Sequence, residues 1–258
     1  MAGSLLVFDL IGKLAHFRKF YTNSSSLTYD FPPPTALCGM IAAILGIERD
    51  VYYDLLSPER IRMSVSIRQP SRKVMQTINY IRTNKNDFSN PYHILSKFLS
   101  GERVPYQVPL EVLLPLEEGG SLRYRVYFQH TDEAIMRNLK KRMRAGASVY
   151  PLYFGISEFI ADFRYQGERE YELRQGVAER ISSAVNEEKL AERGIDILAS
   201  QGCQFVKELM PAAFREGREL RKVSSFIYER YGRLFVADLR EYAVVSSTEG
   251  LDEQVVFL

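Results

Sequence analysis

Residues 29–46 read YDFPPPTALCGMIAAILG, three consecutive prolines running straight into an apolar stretch. Proline is tolerated in the first helical turn and glycine ends helices, so the pattern predicts a helix from about Pro34 to Leu45, capped by Gly46. A helix that is apolar all round must be buried on nearly every side. Gly39 would allow a close backbone approach, at a cost of about 1 kcal/mol against alanine. The prolines stiffen the chain where it enters the helix. The loop upstream is therefore expected to be held in one place.

Working outward, Leu5 to Ile11 (LLVFDLI) reads as a buried strand broken only by Asp9. A polar loop, GKLAHFRKFYTNSSSLTYDF, joins it to the prolines. After the helix, Asp50 is expected to cap a short helix to Leu56. Ile61 to Ile67 alternates as a strand, with Arg62, Ser64 and Ser66 opposite the apolar face. Asn90-Pro91 is expected to start a short helix closed by Gly101. Val108 to Leu114 and Leu122 to Gln129 flank EEGGS and are expected to form a hairpin. Thr131-Asp132-Glu133 opens a helix with Ile135, Met136, Leu139 and Met143 as its apolar stripe. Arg137, Lys140, Lys141, Arg142 and Arg144 occupy its other faces, and Gly146 ends it. A loop at Gly155 and a strand near Phe159 to Tyr165 follow.

Up to residue 166 this order fits a βαββαβ ferredoxin-like unit of α+β class. Residues 167–258 are more acidic and less regular, and are expected to form a smaller β-rich part. Within it, SSFIYERYGRLFVADL predicts a hairpin turning at Tyr231-Gly232.

The chain has 258 residues, 46% hydrophobic and 26% charged, with a formal net charge of +2. That balance is ordinary for a globular protein and does not by itself imply nucleic acid. The two cysteines, Cys38 and Cys203, lack metal or disulfide spacing. No signal peptide is read at the amino terminus, and Ala36 to Ile47 is too short to span a bilayer. A cytoplasmic protein without metal, cofactor or membrane partner is expected.

The strongest charge asymmetry is Arg60 to Asn86, which holds Arg60, Arg62, Arg68, Arg72, Lys73, Arg82 and Lys85 and no acid. Tyr80 and several amides lie among them. Cations can track phosphates while a ring stacks on a base; the alternative is a solvated strand face and loop. His16-Phe17-Arg18-Lys19, with Tyr21 and Tyr29 nearby, offers the same chemistry. Its alternative is a loop whose Phe17 plugs the core and whose Arg18 pairs a carboxylate. Gly155 could let backbone approach phosphates, though one glycine is more often a turn. Neither HExxH nor GxSxG occurs. Of His16, His93 and His130, His16 is the best acid–base candidate, with Tyr21, Tyr29 or a lysine as partner.

The blocks FDLIGKLAHFRKF and SLTYDFPPPTALCGMIAAILG resemble the amino-terminal signature of the CRISPR-associated RAMP proteins of Cas family five. YPLYFGIS, ISSAV, ELMP and the terminal VVFL extend the resemblance over nearly the whole chain. It implies a ferredoxin-like, RRM-related domain (residues 1–166) with a projecting thumb hairpin, placed at about 68–106, and a smaller carboxy-terminal part (167–258). It implies a subunit of a type I effector complex (Cascade) that grips the 5′ handle of the CRISPR RNA. Such a subunit caps the filament of backbone subunits and contacts the large subunit that recognises target DNA. The handle-facing parts would be His16, Phe17 and Arg18 with Lys19 and Tyr29, the start of the proline-led helix, and the loop with Gly155 and Ser157. The thumb would carry the basic segment. The type I-C branch also cuts precursor RNA with tyrosine, lysine and histidine. Here His130 follows Gln129, so the mid-chain Lys-His pair of that branch is missing. The FPPPTALCGMIAAILG form is closer to the type I-B branch, which implies a subunit that is not an enzyme. An endoribonuclease of the same fold and an unrelated small-molecule enzyme are the rivals.

Overall fold

The computed structural model describes residues 2–23, 25–81, 92, 95–96, 99–101, 105–247 and 250–258. Their architecture is α+β and mostly sheet. Strand β1 (Ala2–Gly12) leads through two short strands, β2 (Phe17–Arg18) and β3 (Thr28–Tyr29), into helix α1 (Pro34–Leu45). Strands β4 (Ile61–Ile67), β5 (Ser71–Ile81), β6 (Pro105–Pro115) and β7 (Leu122–His130) precede helix α2 (Glu133–Arg144). Then come β8 (Leu152–Tyr153) and the 22-residue β9 (Ile160–Ile181). The rest is β10 (Val185–Asn186), β11 (Leu190–Ile195), β12 (Phe205–Arg215), β13 (Glu219–Glu229), β14 (Phe235–Val245) and β15 (Glu253–Val255).

The main sheet runs β11-β14-β15-β9-β1-β7-β4, with β8 beside β9. Along β1, Leu6, Phe8 and Leu10 point to the face that α1 and α2 cover, and Leu5 and Val7 point to the other face. The second face packs against Tyr171, Val245, Val255 and Phe257. A strand covered on both sides reads as a continuous apolar run, and this is why LLVFDLI is legible. The exception, Asp9, is fully buried and accepts from Arg125 at 2.8 and 3.3 Å.

Helix α1 has the expected bounds. Gly46 caps it at φ +78, and its amide reaches the Ala43 carbonyl. Its buried residues lie all round, because the sheet core takes one side while α2 and β12 take others. A Cβ at Gly39 would lie 3.1 Å from the Tyr52 hydroxyl, so the glycine permits the close approach expected of it.

Three local expectations are corrected. Residues 50–56 form turns, not a helix. Asp50 sits at φ +69, outside N-cap geometry, and its carboxylate is taken by Tyr53 and Arg218. Leu122–His130 does not pair with Pro105–Pro115. It enters the main sheet between β1 and β4, where its apolar residues meet the core and its arginines meet Asp9. Instead, β6 pairs with β5 over a long ladder from Ser71↔Pro115 to Ile81↔Pro105. The Tyr231-Gly232 turn exists but joins two sheets: β13 pairs with β12 and β10, while β14 pairs with β9, β11 and β15. Glu229 holds that turn by accepting from the Tyr231 and Arg233 amides. The expected helix from Asn90-Pro91 lies largely outside the described residues; Tyr92, Leu95, Ser96 and Leu99 are helical. Both cysteines are free, and Cys38 is a buried core residue. Among the described residues no helix is long and apolar enough to cross a membrane.

Candidate functional site

The loop between β1 and α1 is stitched into place over most of its length. Ala15 exchanges backbone hydrogen bonds with Leu113 of β6, and the His16 amide donates to the Phe154 carbonyl at 2.9 Å. Ser26 lies along β6 through bonds to Pro109 and Glu111, and the Glu111 carboxylate accepts from the Thr28 amide at 2.8 Å. On its far side the loop meets β12. There Lys19 pairs with Glu208, the Tyr21 hydroxyl donates to Glu208 at 3.0 Å, and the Tyr29 hydroxyl donates to the Leu209 carbonyl at 2.7 Å. Asp30 is buried and accepts from the Tyr228 hydroxyl at 2.5 Å, with the Lys73 ammonium 3.1 Å away.

These contacts frame a groove of about 620 Å³. Its walls come from five places: His16, Phe17 and Arg18 of the loop; Pro33, Thr35 and Ala36 at the start of α1; Gly155 and Ile156; Val108 and Leu110 of β6; and Pro211 and Phe214 of β12. The first turn of α1 holds no acid and no side-chain cap. The positive end of its dipole is thus unneutralised toward the groove. Gly155 stands at φ +95, and a Cβ there would lie 1.8 Å from the His16 carbonyl oxygen. Only glycine lets these two backbones meet.

The expected site residues divide by role. Arg18 is exposed on the groove wall and donates to the Thr22 carbonyl at 3.1 Å. Phe17 plugs the core, edge-on to Tyr124 and Phe154 at 6.0 and 5.6 Å, so the packing alternative for that ring holds. His16 is 3% exposed and its Nδ1 donates to the Glu111 carbonyl at 2.7 Å. A carbonyl can only accept, so Nδ1 carries the proton and Nε2 keeps its lone pair. Burial above all lowers the His16 pKa, the bond to Glu111 opposes this, and the Arg18 charge lowers it further. Burial pushes the Tyr29 phenol far up, and this ring too is fully buried. Burial works against the charge on Lys19, but Glu208 outweighs it and the net shift is upward. Ser157 is exposed beside the glycine loop, bonded to Glu158.

The basic segment is less free than its composition suggests. Arg62 donates to the Tyr171 hydroxyl at 2.6 Å, Arg68 pairs with Glu253 at 2.8 Å and Lys73 pairs with Asp30. Arg72 is exposed on β5. Tyr80 lies on β5 opposite Tyr106 in register. Arg82 and Lys85 lie outside the described residues. The sequence reading missed Asp30, Glu111 and Glu208, the acids that brace the loop. A lone Asp30 between Tyr29 and Phe31 was the one local clue. Glu208 had none, being 189 residues from Lys19. Among the described residues no cluster of three His, Cys, Asp or Glu side chains could hold a metal.

A buried neutral imidazole makes stability pH-dependent. The folded pKa of His16 is depressed, so the unfolded chain binds the proton first. Its contribution is present above the unfolded value of about 6.5 and is lost as pH falls through the folded one. His16→Asn keeps a donor for Glu111 and removes the titration. Urea midpoints compared at about pH 7.5 and 5.5 should fall less in the variant than in the parent chain.

A family profile described as CRISPR-associated protein (Cas5) matches residues 5–224. The chain therefore belongs to the CRISPR-associated Cas5 family. Among solved structures, a CRISPR protein from Archaeoglobus fulgidus is similar at 14% identity and a TM-score of 0.52, over 98% of this chain and 99% of that one. This is a likeness of fold. A chain of a CRISPR RNA-guided surveillance complex aligns at 13% identity and a TM-score of 0.48, over 91% of this chain and 90% of that one. A search of curated proteins returned no match.

Proposed function

We propose that the chain is a non-catalytic RNA-binding subunit of a CRISPR effector complex, holding the 5′ handle of the CRISPR RNA. The observation that carries this is the convergence of the Arg18 loop, the uncapped start of α1 and the Gly155 turn on one groove. Each part supplies what a phosphodiester needs: a guanidinium, a helix N-terminus and a close backbone. The strand order β9-β1-β7-β4, with α1 linking β1 to β4 and α2 linking β7 to β9, supports a ferredoxin-like RAMP domain over residues 1–166. The β5–β6 ladder supports a thumb at about 68–106 that separates handle from guide. Residues 167–258 supply the β12–β13 sheet that braces the handle loop. In this reading the subunit caps the backbone filament, contacts the large subunit and meets target DNA only within the assembled complex.

The buried state of His16 and Tyr29 favours a scaffold over a nuclease. A general base must reach the 2′-hydroxyl, whereas the His16 ring is packed at the groove wall and the Tyr29 hydroxyl is engaged with Leu209. Purified protein incubated with repeat RNA in EDTA should leave the RNA intact, and RNAs co-purifying with it should share one 5′ end. Cleavage that disappears in His16→Ala would overturn the reading, as would co-purifying RNAs with random ends.

A further inference from the structure

A second groove, of about 740 Å³, lies on the sheet face away from the helices. Its floor includes Ile11 of β1, Arg123 of β7 and Arg164 of β9. Its rim is Gln69-Pro70 and the turn from Pro115 to Ser121. Lys13 pins that turn, its ammonium donating to the Gly119 and Gly120 carbonyls at 2.9 Å each. The charge on the floor is out of balance. Asp9 is the buried carboxylate there. Arg125 takes both of its oxygens, Gln166 donates to one at 3.0 Å, and Arg123 reaches it only at 3.5 Å. Arg164 stands opposite Asp9 in the β1–β9 register yet has no acidic partner among the described residues. Arg125 is shared between Asp9 and Glu253, the latter at 3.2 Å, so the unmatched cations are Arg123 and Arg164, which line the open space. Glu117 is the single acid of the lining.

We infer that this groove is a phosphodiester site for single-stranded nucleic acid, continuing the path of the bound strand past the root of the β5–β6 hairpin. The two grooves flank the same β6 strand and the same chain segment, from Ile11 in one to His16 in the other. A strand leaving the first groove past the root of the hairpin meets the two arginines. Planar guanidiniums suit phosphate oxygens, and this contact is indifferent to base. The inference rests on the RNA reading of the first groove for its direction, but its test separates the two.

The test is fluorescence anisotropy on the full chain with labelled RNA oligonucleotides of about eight and about twenty nucleotides, one within and one beyond a single-site footprint of about 4–16 nucleotides. The longer RNA should bind more tightly. Arg164→Glu should remove that gain, weakening the long RNA about tenfold and lowering its salt slope by about one, with the short RNA unchanged. Arg164 is exposed and carries no described ion pair, so the fold is expected to survive; Arg164→Lys should restore most of the affinity. Equal affinity of parent and Arg164→Glu for the long RNA would overturn the inference. So would Arg164-dependent binding of polyglutamate with none of RNA, which would make this an acidic-protein site. If the short RNA fails to bind while long-RNA binding still depends on Arg164, the first-groove reading falls and this one stands.

Discussion

Gly155→Ala is expected to cost roughly 3 kcal/mol or more and to destroy the groove. A non-glycine residue at φ +95 is strained by about 1–3 kcal/mol on its own. The added Cβ would also sit 1.8 Å from the His16 carbonyl oxygen, far inside contact distance. His16 cannot retreat easily, because its amide is bonded to Phe154 and its ring to Glu111. In a chain of this length 1 kcal/mol corresponds to about 2–4 °C, so the midpoint of a thermal melt should fall by roughly 6–12 °C. RNA affinity should fall with it, since the turn and the loop form facing walls. A midpoint within about 2 °C of the parent would mean that the turn relaxes freely and contributes no fixed wall.

Asp30→Ala should destabilise the fold by about 3–5 kcal/mol. The substitution strands two groups at once. The Tyr228 hydroxyl, fully buried, loses its acceptor, and the Lys73 ammonium, 20% exposed, loses its counter-charge. Partial exposure of Lys73 places the expected cost toward the lower end of that range. Asp30→Asn keeps an oxygen for Tyr228 and loses only the charge, so it should cost about half as much. Lys73→Met in the Asp30→Ala background should recover part of the loss, giving a coupling energy that urea denaturation can measure. Purely additive effects would show that the pair does not tie the β5–β6 hairpin to the loop. The result also bears on function: Lys73 reads as an RNA contact in sequence and is paired with Asp30 in the structure.

What was legible in the sequence was local. Helix α1 is marked by its prolines and Gly46, and α2 by Asp132 and its terminal cations, so both have the bounds the residues suggest. Strands β1 and β4 are marked by their apolar runs. What was illegible was pairing. Leu122–His130 looks like half a hairpin because a turn signal precedes it. Its arginines need a buried acid that only β1 supplies, and that requirement places it in the main sheet. The long β9 is hidden because its exposed positions carry Arg and Glu and two glycines interrupt it, at residues 167 and 176. Residue 167, where the more acidic part begins, lies inside this one strand. The ion-pair partners of the acid-free basic segment were illegible for the same reason. Its counter-charges, Asp30 and Glu253, come from far along the chain. The groove itself was legible only as separate pieces, and topology brings the Arg18 loop, the helix start and Gly155 together.

The central claim is that Arg18 and its groove hold RNA. The most direct measurement is a fluorescence anisotropy titration of repeat-derived RNA against the parent chain and Arg18→Ala, at several salt concentrations. Arg18 is exposed and, among the described residues, is bonded only to the Thr22 carbonyl, so its loss should leave the fold intact. The account predicts affinity weakened about tenfold at physiological salt and a salt slope lower by about one, as removal of one phosphate contact requires. Unchanged affinity and slope in Arg18→Ala would contradict it.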